Sequence, residues 1–241
     1  MDDELHQLLT RLKLRRILTI YDDELERAEK RGMSYTNLFK RLLREEHDDQ
    51  QARFLEHRIR RAKLPERWTL STFPWRKQKS VKRRTMEQLA ELDFIARAAN
   101  IVFIGDTGVG KTGLASAILL KALEAGYRGL FIQAQELFDE LYTSLADHSS
   151  RRLLNHLARF DLLVIDEMGY LNLRPEQSNI FFKLMEERYG RRATIITTNL
   201  EYERWYDFLG NKEMVSALLD RLRHRCHTIR IEGESLRTPG A

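Results

Sequence analysis

The sequence has little of what builds cross-linked or membrane-spanning proteins. Cys226 is the single cysteine among 241 residues, which excludes an intramolecular disulfide framework and zinc sites made from paired cysteines. No apolar run approaches the roughly 20 residues that cross a bilayer. The acidic start at residues 2–4 is unlike a signal peptide. We therefore expect a globular protein in a reducing, cytoplasmic setting, with no membrane partner.

Acidic residues are scarce in one segment of the chain. Between Arg53 and Arg84, twelve Lys or Arg residues stand against only Glu56 and Glu66, although the net charge of the whole chain is just +5. Concentrated positive charge attracts polyanions, so double-stranded DNA is the partner that we expect; a solvated helix face is the alternative. The candidate contacts to the DNA backbone are Arg58, Arg60, Arg61, Lys63, Lys79, Lys82, Arg83 and Arg84.

Residues 1–64 have helical apolar spacing throughout and predict a small all-helical N-terminal domain. The first helix would present one face made of Leu5, Leu8, Leu9, Leu12 and Ile17. A second helix would end at Gly32, and Ser34 would cap a third. That third helix is expected to bury Leu38, Phe39, Leu42 and Leu43, and a separate charged helix is expected over about 46–63. The domain could bind DNA, a partner protein or both.

Residues 65–85 combine aromatic and basic residues with helix breakers and predict a linker. Phe73 and Trp75 in this segment could flank an adenine, form a hydrophobic plug between the domains or, together with Trp68, simply pack in a core. A short helix at about 85–98 would lead into the second domain.

Residues 86–241 alternate short apolar runs with helical stretches, which is typical of an α/β domain with a parallel sheet. Five strands are predicted, at 101–104, 130–132, 162–165, 193–197 and 228–231.

A glycine-rich loop follows the first of these strands and precedes a helix. It matches the pattern GxxxxGK[ST], whose backbone N–H groups wrap a phosphate chain at a helix N-terminus. Lys111 would reach the β- and γ-phosphates, and the Thr112 hydroxyl would bind Mg²⁺. The Asp106 side chain is expected to point to solvent. The nucleotide-binding residues are predicted to be Gly105, Asp106, Thr107, Gly108, Val109, Gly110, Lys111, Thr112 and Gly113.

Two carboxylates follow the apolar strand at 162–165. Ligands bind at the C-terminal ends of strands in open α/β sheets, so Asp166 and Glu167 are placed to act on a bound nucleotide. Asp166 would hold Mg²⁺ through a water. Glu167 would orient the attacking water and act as the general base.

Two further polar residues complete the pattern. Asn199 lies just after the strand at 193–197 and is a candidate to bind the γ-phosphate or the attacking water. Arg221 is a candidate arginine finger that reaches the nucleotide of a neighbouring subunit, and a surface arginine paired with Asp220 is the alternative. Arg223 and Arg225 could take its place.

These elements in this order resemble the AAA+ ATPases. The chain resembles more closely the IstB-like ATP-binding proteins of insertion sequences and the related bacterial replicative helicase loaders. The resemblance covers nearly the whole chain and depends on the runs 32–35, 69–73, 168–171, 200–205, 219–225 and 229–237. Gly113 stands where that family usually has His, and Leu236 where it often has Tyr.

The resemblance implies a P-loop ATPase of bacterial-type cytoplasm, with ATP and Mg²⁺ as cofactors and ATP sites between the subunits of a homo-oligomer. It implies assembly on double-stranded DNA and help to a transposase or integrase in target selection and DNA transposition. By similarity, Arg237 is a second nucleotide-sensing arginine. A helicase loader, a small-molecule kinase and a non-hydrolysing DNA-binding scaffold are the competing interpretations.

Overall fold

The structure, a computed structural model, describes residues 2–237. Contacts between residues divide the chain into two compact units, with the division between His57 and Arg58. None of the helices in the described part is both long and apolar enough to span a membrane.

The N-terminal unit is helical, as predicted. Its helices are α1 (Asp3–Arg11), α2 (Arg15–Lys30) and α3 (Tyr35–Arg61), the last of which continues past His57 into the second unit. Gly32 has a φ of +55° directly after α2, and Ser34 precedes α3, so both predicted helix boundaries are confirmed.

Three details of the N-terminal prediction are wrong. Ile17 lies on α2 rather than on the first helix, because the chain turns after Arg11. The predicted third and fourth helices are one continuous helix, since no glycine or proline interrupts residues 35–61. Phe39 and Leu43 are 63% and 43% exposed, because the small core of Leu9, Ile17 and Leu42 faces another side of α3.

The second unit contains the predicted parallel sheet of five strands, in the order β2-β3-β4-β1-β5. The strands are β1 (Asn100–Gly105), β2 (Gly129–Gln133), β3 (Leu162–Met168), β4 (Ala193–Thr198) and β5 (Cys226–Ile231). All four pairings are parallel. Each strand lies where an apolar run predicts it, because buried parallel strands are apolar on both faces.

Helices pack on both faces of this sheet. The helices of the second unit are α4 (Arg83–Leu89), α5 (Asp93–Ala96), α6 (Lys111–Glu124), α7 (Ala134–Ala146), α8 (Ser150–Ala158), α9 (Pro175–Arg188), α10 (Trp205–Leu209) and α11 (Lys212–His224). One face packs against α6. Alternate strand residues such as Val102, Ile165 and Ile196 point to the other face and join the large apolar cluster with α7, α9 and α11. The helix predicted at about 85–98 is instead α4 and α5, separated by Leu92 with a φ of +69°.

The segment predicted as a linker packs within the second unit. Phe73, Gln78 and Val81 are buried. The side-chain amide of Gln78 donates a hydrogen bond to the carbonyl of Val109 in the glycine-rich loop, at 3.0 Å. The aromatic and apolar residues that mark this segment in the sequence are used to support the loop, while its charged residues stay at the surface.

Candidate functional site

The glycine-rich loop joins β1 to α6 at the C-terminal edge of the sheet. Gly108 and Gly110 have φ of +85° and +100°, a region that favours glycine. The buried Lys111 bends back so that its Nζ donates to the carbonyls of Gly105 and Asp106, at 2.8 and 2.7 Å. The Asp106 side chain is exposed, as expected. The loop therefore places the positive charge of Lys111 at the N-terminus of α6. A positive charge at a helix N-terminus is typical of phosphate-binding sites.

Asp166, at the end of β3, accepts hydrogen bonds from two threonines. Thr112 Oγ1 donates to both carboxylate oxygens at 3.1 Å, and Thr197 Oγ1 donates to Oδ1 at 2.5 Å. Thr112 and Asp166 therefore present converging oxygen atoms, which are the ligands that Mg²⁺ prefers. Because Asp166 is only 3% exposed, a bound cation would compensate its buried charge, so these residues fit the metal.

Glu167 follows Asp166 but has an exposed side chain. The register between β3 and β4 shifts between Ile165 and Met168, and Glu167 has a φ of +59°. This unusual backbone is held by the Glu167 N–H, which donates to Thr197 Oγ1 at 2.9 Å. Two successive residues thus point differently: Asp166 into the protein and Glu167 toward solvent. Positive φ in a non-glycine residue is concentrated at functional sites.

Burial perturbs two ionisable groups of the site. Desolvation raises the pKa of Asp166 and the nearby Glu167 adds to the rise, while hydrogen bonds from Thr197 and Thr112 oppose it. Desolvation lowers the pKa of Lys111, against the opposing attraction of Asp166. Both shifts disfavour the charged forms, the Asp166 carboxylate and the Lys111 ammonium group. A bound metal ion would stabilise the first, and a bound phosphate group the second.

Asp166→Asn is expected to raise the melting temperature of the nucleotide-free protein at pH 7. A carboxyl whose pKa is raised by folding contributes stability below its unfolded-state pKa and loses it as pH rises through the folded-state value. At neutral pH the substitution therefore removes a charge whose burial destabilises the folded protein. The gain in melting temperature should vanish at pH 3. A lower melting temperature at pH 7 would show that Lys111 stabilises the carboxylate more than burial destabilises it.

Asn199 follows β4 and lies beside the loop after β3. A Cβ atom on Gly169 would be 2.8 Å from Asn199 Oδ1. Within residues 2–237, this Oδ1 is buried without a hydrogen-bond partner. Asn199 does not line the cleft around Lys111, so its role toward the nucleotide stays a prediction.

The residues after β5 cross the glycine-rich loop. The backbone N–H of Leu236 donates to the carbonyl of Gly108 at 2.8 Å. A Cβ on Gly108 would lie 2.1 Å from Ser235 Oγ, so this crossing needs glycine in the loop. Arg237 lines the same cleft, and its positive charge helps to lower the pKa of Lys111. The crossing therefore brings the predicted nucleotide-sensing arginine close to the predicted phosphate-binding lysine.

The cleft around Lys111 has a volume of about 390 Å³ and brings most of the predicted site together. Its lining includes Lys111, Thr112, Asp166, Glu167 and Arg237.

Arg221 lies elsewhere, at a second cavity of about 540 Å³ between α9 and α11. Asn100 and Thr194, near the N-terminal ends of β1 and β4, line this second cavity, so it lies at the opposite edge of the sheet from the glycine-rich loop. Arg221 pairs with Glu186 at 3.3 Å, not with Asp220, and its side chain is 44% exposed. The guanidinium of Arg223 lies over the ring of Tyr202, 5.3 Å from its centre. Arg221 is therefore available to a neighbouring molecule but cannot serve the cleft of its own chain.

The predicted DNA contacts differ in how far their charges are compensated. Lys63 pairs with Glu136 at 2.5 Å, and Arg83 pairs with Glu87 at 2.8 Å. Arg58 is half-buried. The other five are exposed, and we rank them above these three as DNA contacts: Arg60, Arg61, Lys79, Lys82 and Arg84.

Sequence reasoning missed three residues of this site. Thr197 links Asp166 and Glu167, and a threonine ending an apolar strand gave no signal of that role. Leu236 and Trp68 both line the cleft. Each comes from a segment remote in sequence from the glycine-rich loop, so that only the folded chain reveals the contact.

The sequence model of the family "IstB-like ATP binding protein" matches residues 7–239. The chain belongs to this family. The match extends over both units of the fold, beyond the nucleotide motifs alone.

Named relatives agree with this assignment. The chain is 35% identical over 234 residues to a protein of Pseudomonas aeruginosa named as an ATP-binding protein of insertion sequence IS21, with 97% of this chain and 88% of that protein covered. It is 34% identical over 237 residues to the corresponding IS5376 protein of Geobacillus stearothermophilus, covering 98% and 94%.

Solved structures support the fold. DnaI matches with a TM-score of 0.59 at 23% identity, covering 69% of this chain and 92% of that one. The DnaC helicase loader gives 0.56 at 23%, covering 68% and 96%. DnaA bound to AMPPCP and single-stranded DNA gives 0.58 at 20%, covering 71% and 51%. This IstB-like chain therefore shares its α/β fold with DnaI, the DnaC helicase loader and DnaA.

Proposed function

We propose that this IstB-like protein is a Mg²⁺-dependent ATPase that assembles on double-stranded DNA and assists a transposase in target selection and DNA transposition. One observation carries the ATPase part: Lys111, Thr112, Asp166 and Glu167 line one cleft at the C-terminal edge of a parallel sheet. Family membership and insertion-sequence relatives support the transposition part.

The proposed chemistry is in-line attack of water on the γ-phosphate. Lys111 turns from the loop carbonyls to the β- and γ-phosphates, which attract its charge more strongly. Thr112 and Asp166 would hold Mg²⁺, and the bound ion would neutralise charge on the phosphate oxygens. Glu167, the exposed carboxylate, orients the water and accepts its proton. Asn199 positions the water or the γ-phosphate.

The proposed oligomer follows from the position of Arg221. Since this residue lies at the opposite edge of the sheet from Lys111, it can stabilise a transition state only in a neighbouring subunit. A homo-oligomer with ATP between subunits would therefore hydrolyse ATP only when assembled. Arg237 would sense the nucleotide in its own subunit, because the crossing segment after β5 ties it to the glycine-rich loop.

DNA binding is proposed for the basic segment between Arg58 and Arg84. ATP-driven assembly would align these segments from successive subunits along one duplex, so that their phosphate contacts add. Contacts to phosphates release counterions and read little sequence, so the proposed binding is tolerant of sequence and sensitive to salt.

Neutralising two exposed arginines should flatten the salt dependence of DNA binding. The double variant Arg60→Gln and Arg61→Gln is expected to reduce the slope of log affinity against log salt by about one unit per lost contact in each subunit. The slope is measured by fluorescence anisotropy with labelled duplex DNA in saturating ATP.

A matched control is the adjacent exposed pair on α8, changed as Arg151→Gln and Arg152→Gln. This control removes the same charge outside the basic segment and should leave the slope near that of the wild type. An unchanged slope for the Arg60 and Arg61 variant, with ATP binding intact, would instead assign the DNA to loops of the ATPase core.

The alternative function is that of a replicative helicase loader, which the structural likeness to the DnaC helicase loader favours. The two proposals predict different partners. Immobilised protein with ATP and duplex DNA should retain a transposase of the proposed insertion sequence and not the replicative helicase of the same host. Stable binding of the helicase alone would support the loader. Measured Mg²⁺-dependent ATP turnover tests the ATPase itself and excludes a non-hydrolysing scaffold.

A further inference from the structure

The cleft that holds the predicted phosphate-binding residues is also lined by aromatic and apolar side chains. Trp68, Phe73 and Leu236 line it together with Lys111 and Thr112. A nucleotide is itself polar at its phosphates and flat and aromatic at its base. A single cleft with charged groups and aromatic rings therefore matches both parts of one nucleotide.

Trp68 owes its position to Gly113. A Cβ atom at residue 113 would lie 3.3 Å from Cδ2 of Trp68 and 3.6 Å from both Cε2 and Cγ. These three atoms lie in or next to the fused bond of the indole, so the ring system packs against the backbone of α6 where a side chain would otherwise stand.

A hydrogen bond fixes the plane of this ring. Trp68 Nε1 donates to Glu66 Oε2 at 2.6 Å. The side chain is half-buried, so it is held by α6 and Glu66 while part of its surface remains open to the cleft. A rigid aromatic surface with one accessible side is suited to stacking.

Phe73 and Trp75, in the same segment, pack against the glycine-rich loop and against each other. A Cβ on Gly110 would lie 2.9 Å from Cε2 and Cζ of Phe73, which is 4% exposed. Trp75 packs behind it with ring centres 4.7 Å apart, and its Nε1 donates to the carbonyl of Leu70 at 2.7 Å. Phe73 therefore supports the glycine-rich loop and is almost fully buried, whereas Trp68 is half-buried and has more of its ring open to a base.

We infer that Trp68, seated against Gly113, is the stacking surface for the nucleotide base and the main determinant of affinity for the nucleoside part of the ligand. The inference rests on the proposed nucleotide site. The glycine-rich loop would then bind any polyphosphate, and Trp68 would add affinity only for ligands that carry a base. Since stacking tolerates every base, the surface selects a nucleotide over a bare polyphosphate.

The test compares ATP with inorganic tripolyphosphate by isothermal titration calorimetry, without DNA. Trp68→Ala should weaken ATP binding by a factor of roughly 5 to 150, as expected for loss of one stacked base, and leave tripolyphosphate binding unchanged. Trp68→Phe should keep most of the ATP affinity. The control Tyr35→Ala, which truncates a 92% exposed aromatic ring outside the cleft, should bind both ligands as the wild type does.

Gly113→Ala tests the seat of the ring. The added methyl should displace Trp68 and weaken ATP binding in the wild-type background, yet have no further effect in the Trp68→Ala background, because the contact is already gone. The alanine itself favours the helix by about 1 kcal/mol, so misfolding does not explain such a loss.

Several outcomes would overturn the inference. Unchanged ATP binding in Trp68→Ala would mean that the ring does not contact the nucleotide. Tighter ATP binding would mean that the ring obstructs the cleft. Equal loss of ATP and tripolyphosphate affinity would mean that Trp68 only supports the fold. If the wild-type protein bound ATP no more tightly than tripolyphosphate, the phosphate site would be supported but Trp68 would add no affinity for the base. If the wild-type protein bound neither ligand, the proposed nucleotide site itself would be wrong.

Discussion

Replacing Glu167 with Gln is expected to lower ATP turnover at least a hundredfold while ATP still binds. General-base catalysis contributes about 10²–10⁴ in rate, and an amide of the same shape cannot accept the proton. Binding should persist because the phosphates contact Lys111 and the loop. Glu167 is exposed, so the loss of its charge carries little cost in folding. Steady-state turnover and calorimetric ATP affinity measure the two effects separately.

The control for this variant is Glu176→Gln, which removes an exposed carboxylate in the first turn of α9, outside the cleft. It should hydrolyse ATP at the wild-type rate. Wild-type turnover by Glu167→Gln would show that another group activates the water.

Arg221→Ala is expected to reduce turnover by about 10³–10⁵, the range measured when an arginine that stabilises transferring phosphate is lost. Its effect should appear in the neighbouring subunit. Mixing Arg221→Ala with Lys111→Ala should therefore restore part of the activity, since the first variant has an intact cleft and the second an intact arginine. Turnover at several mixing ratios, at constant total protein, measures this rescue.

Arg151→Ala is the matched control, because Arg151 is an exposed arginine on α8 that lines neither the Lys111 cleft nor the cavity beside Arg221. It should retain activity. If no mixing ratio exceeded the summed activities of the two variants alone, Arg221 would act within its own subunit or only through its ion pair with Glu186.

The parts of the fold that depend on local pattern could be predicted from the sequence. Five apolar runs predicted the strands correctly, because a buried parallel strand is apolar on both faces and therefore appears as a continuous apolar run. The loop at 105–112 and the pair Asp166–Glu167 were recognisable because their chemistry needs adjacent residues. The structure brings Lys111, Thr112 and these two carboxylates to one cleft.

The parts that depend on packing could not be predicted. Apolar spacing on α3 indicates which residues share a face, but not how much of that face another helix covers, so the burial of Phe39 and Leu43 was wrong. From the sequence, the aromatic residues at 68–75 could belong to an adenine site, a plug between domains or a core, because their contacts with Gly110 and Gly113 join segments far apart in sequence. The positive φ of Glu167 likewise arises from the irregular pairing of β3 with β4.

The central claim is that ATP drives assembly of this protein on duplex DNA, and electron microscopy of Glu167→Gln with ATP and double-stranded DNA tests it most directly. The account predicts ordered oligomers around or along the duplex that disappear without ATP. In them, Arg221 of one subunit faces the Lys111 cleft of the next, and the basic segment with Arg60 and Arg61 lies against the phosphates. Isolated monomers on DNA, or the same assemblies without nucleotide, would contradict it.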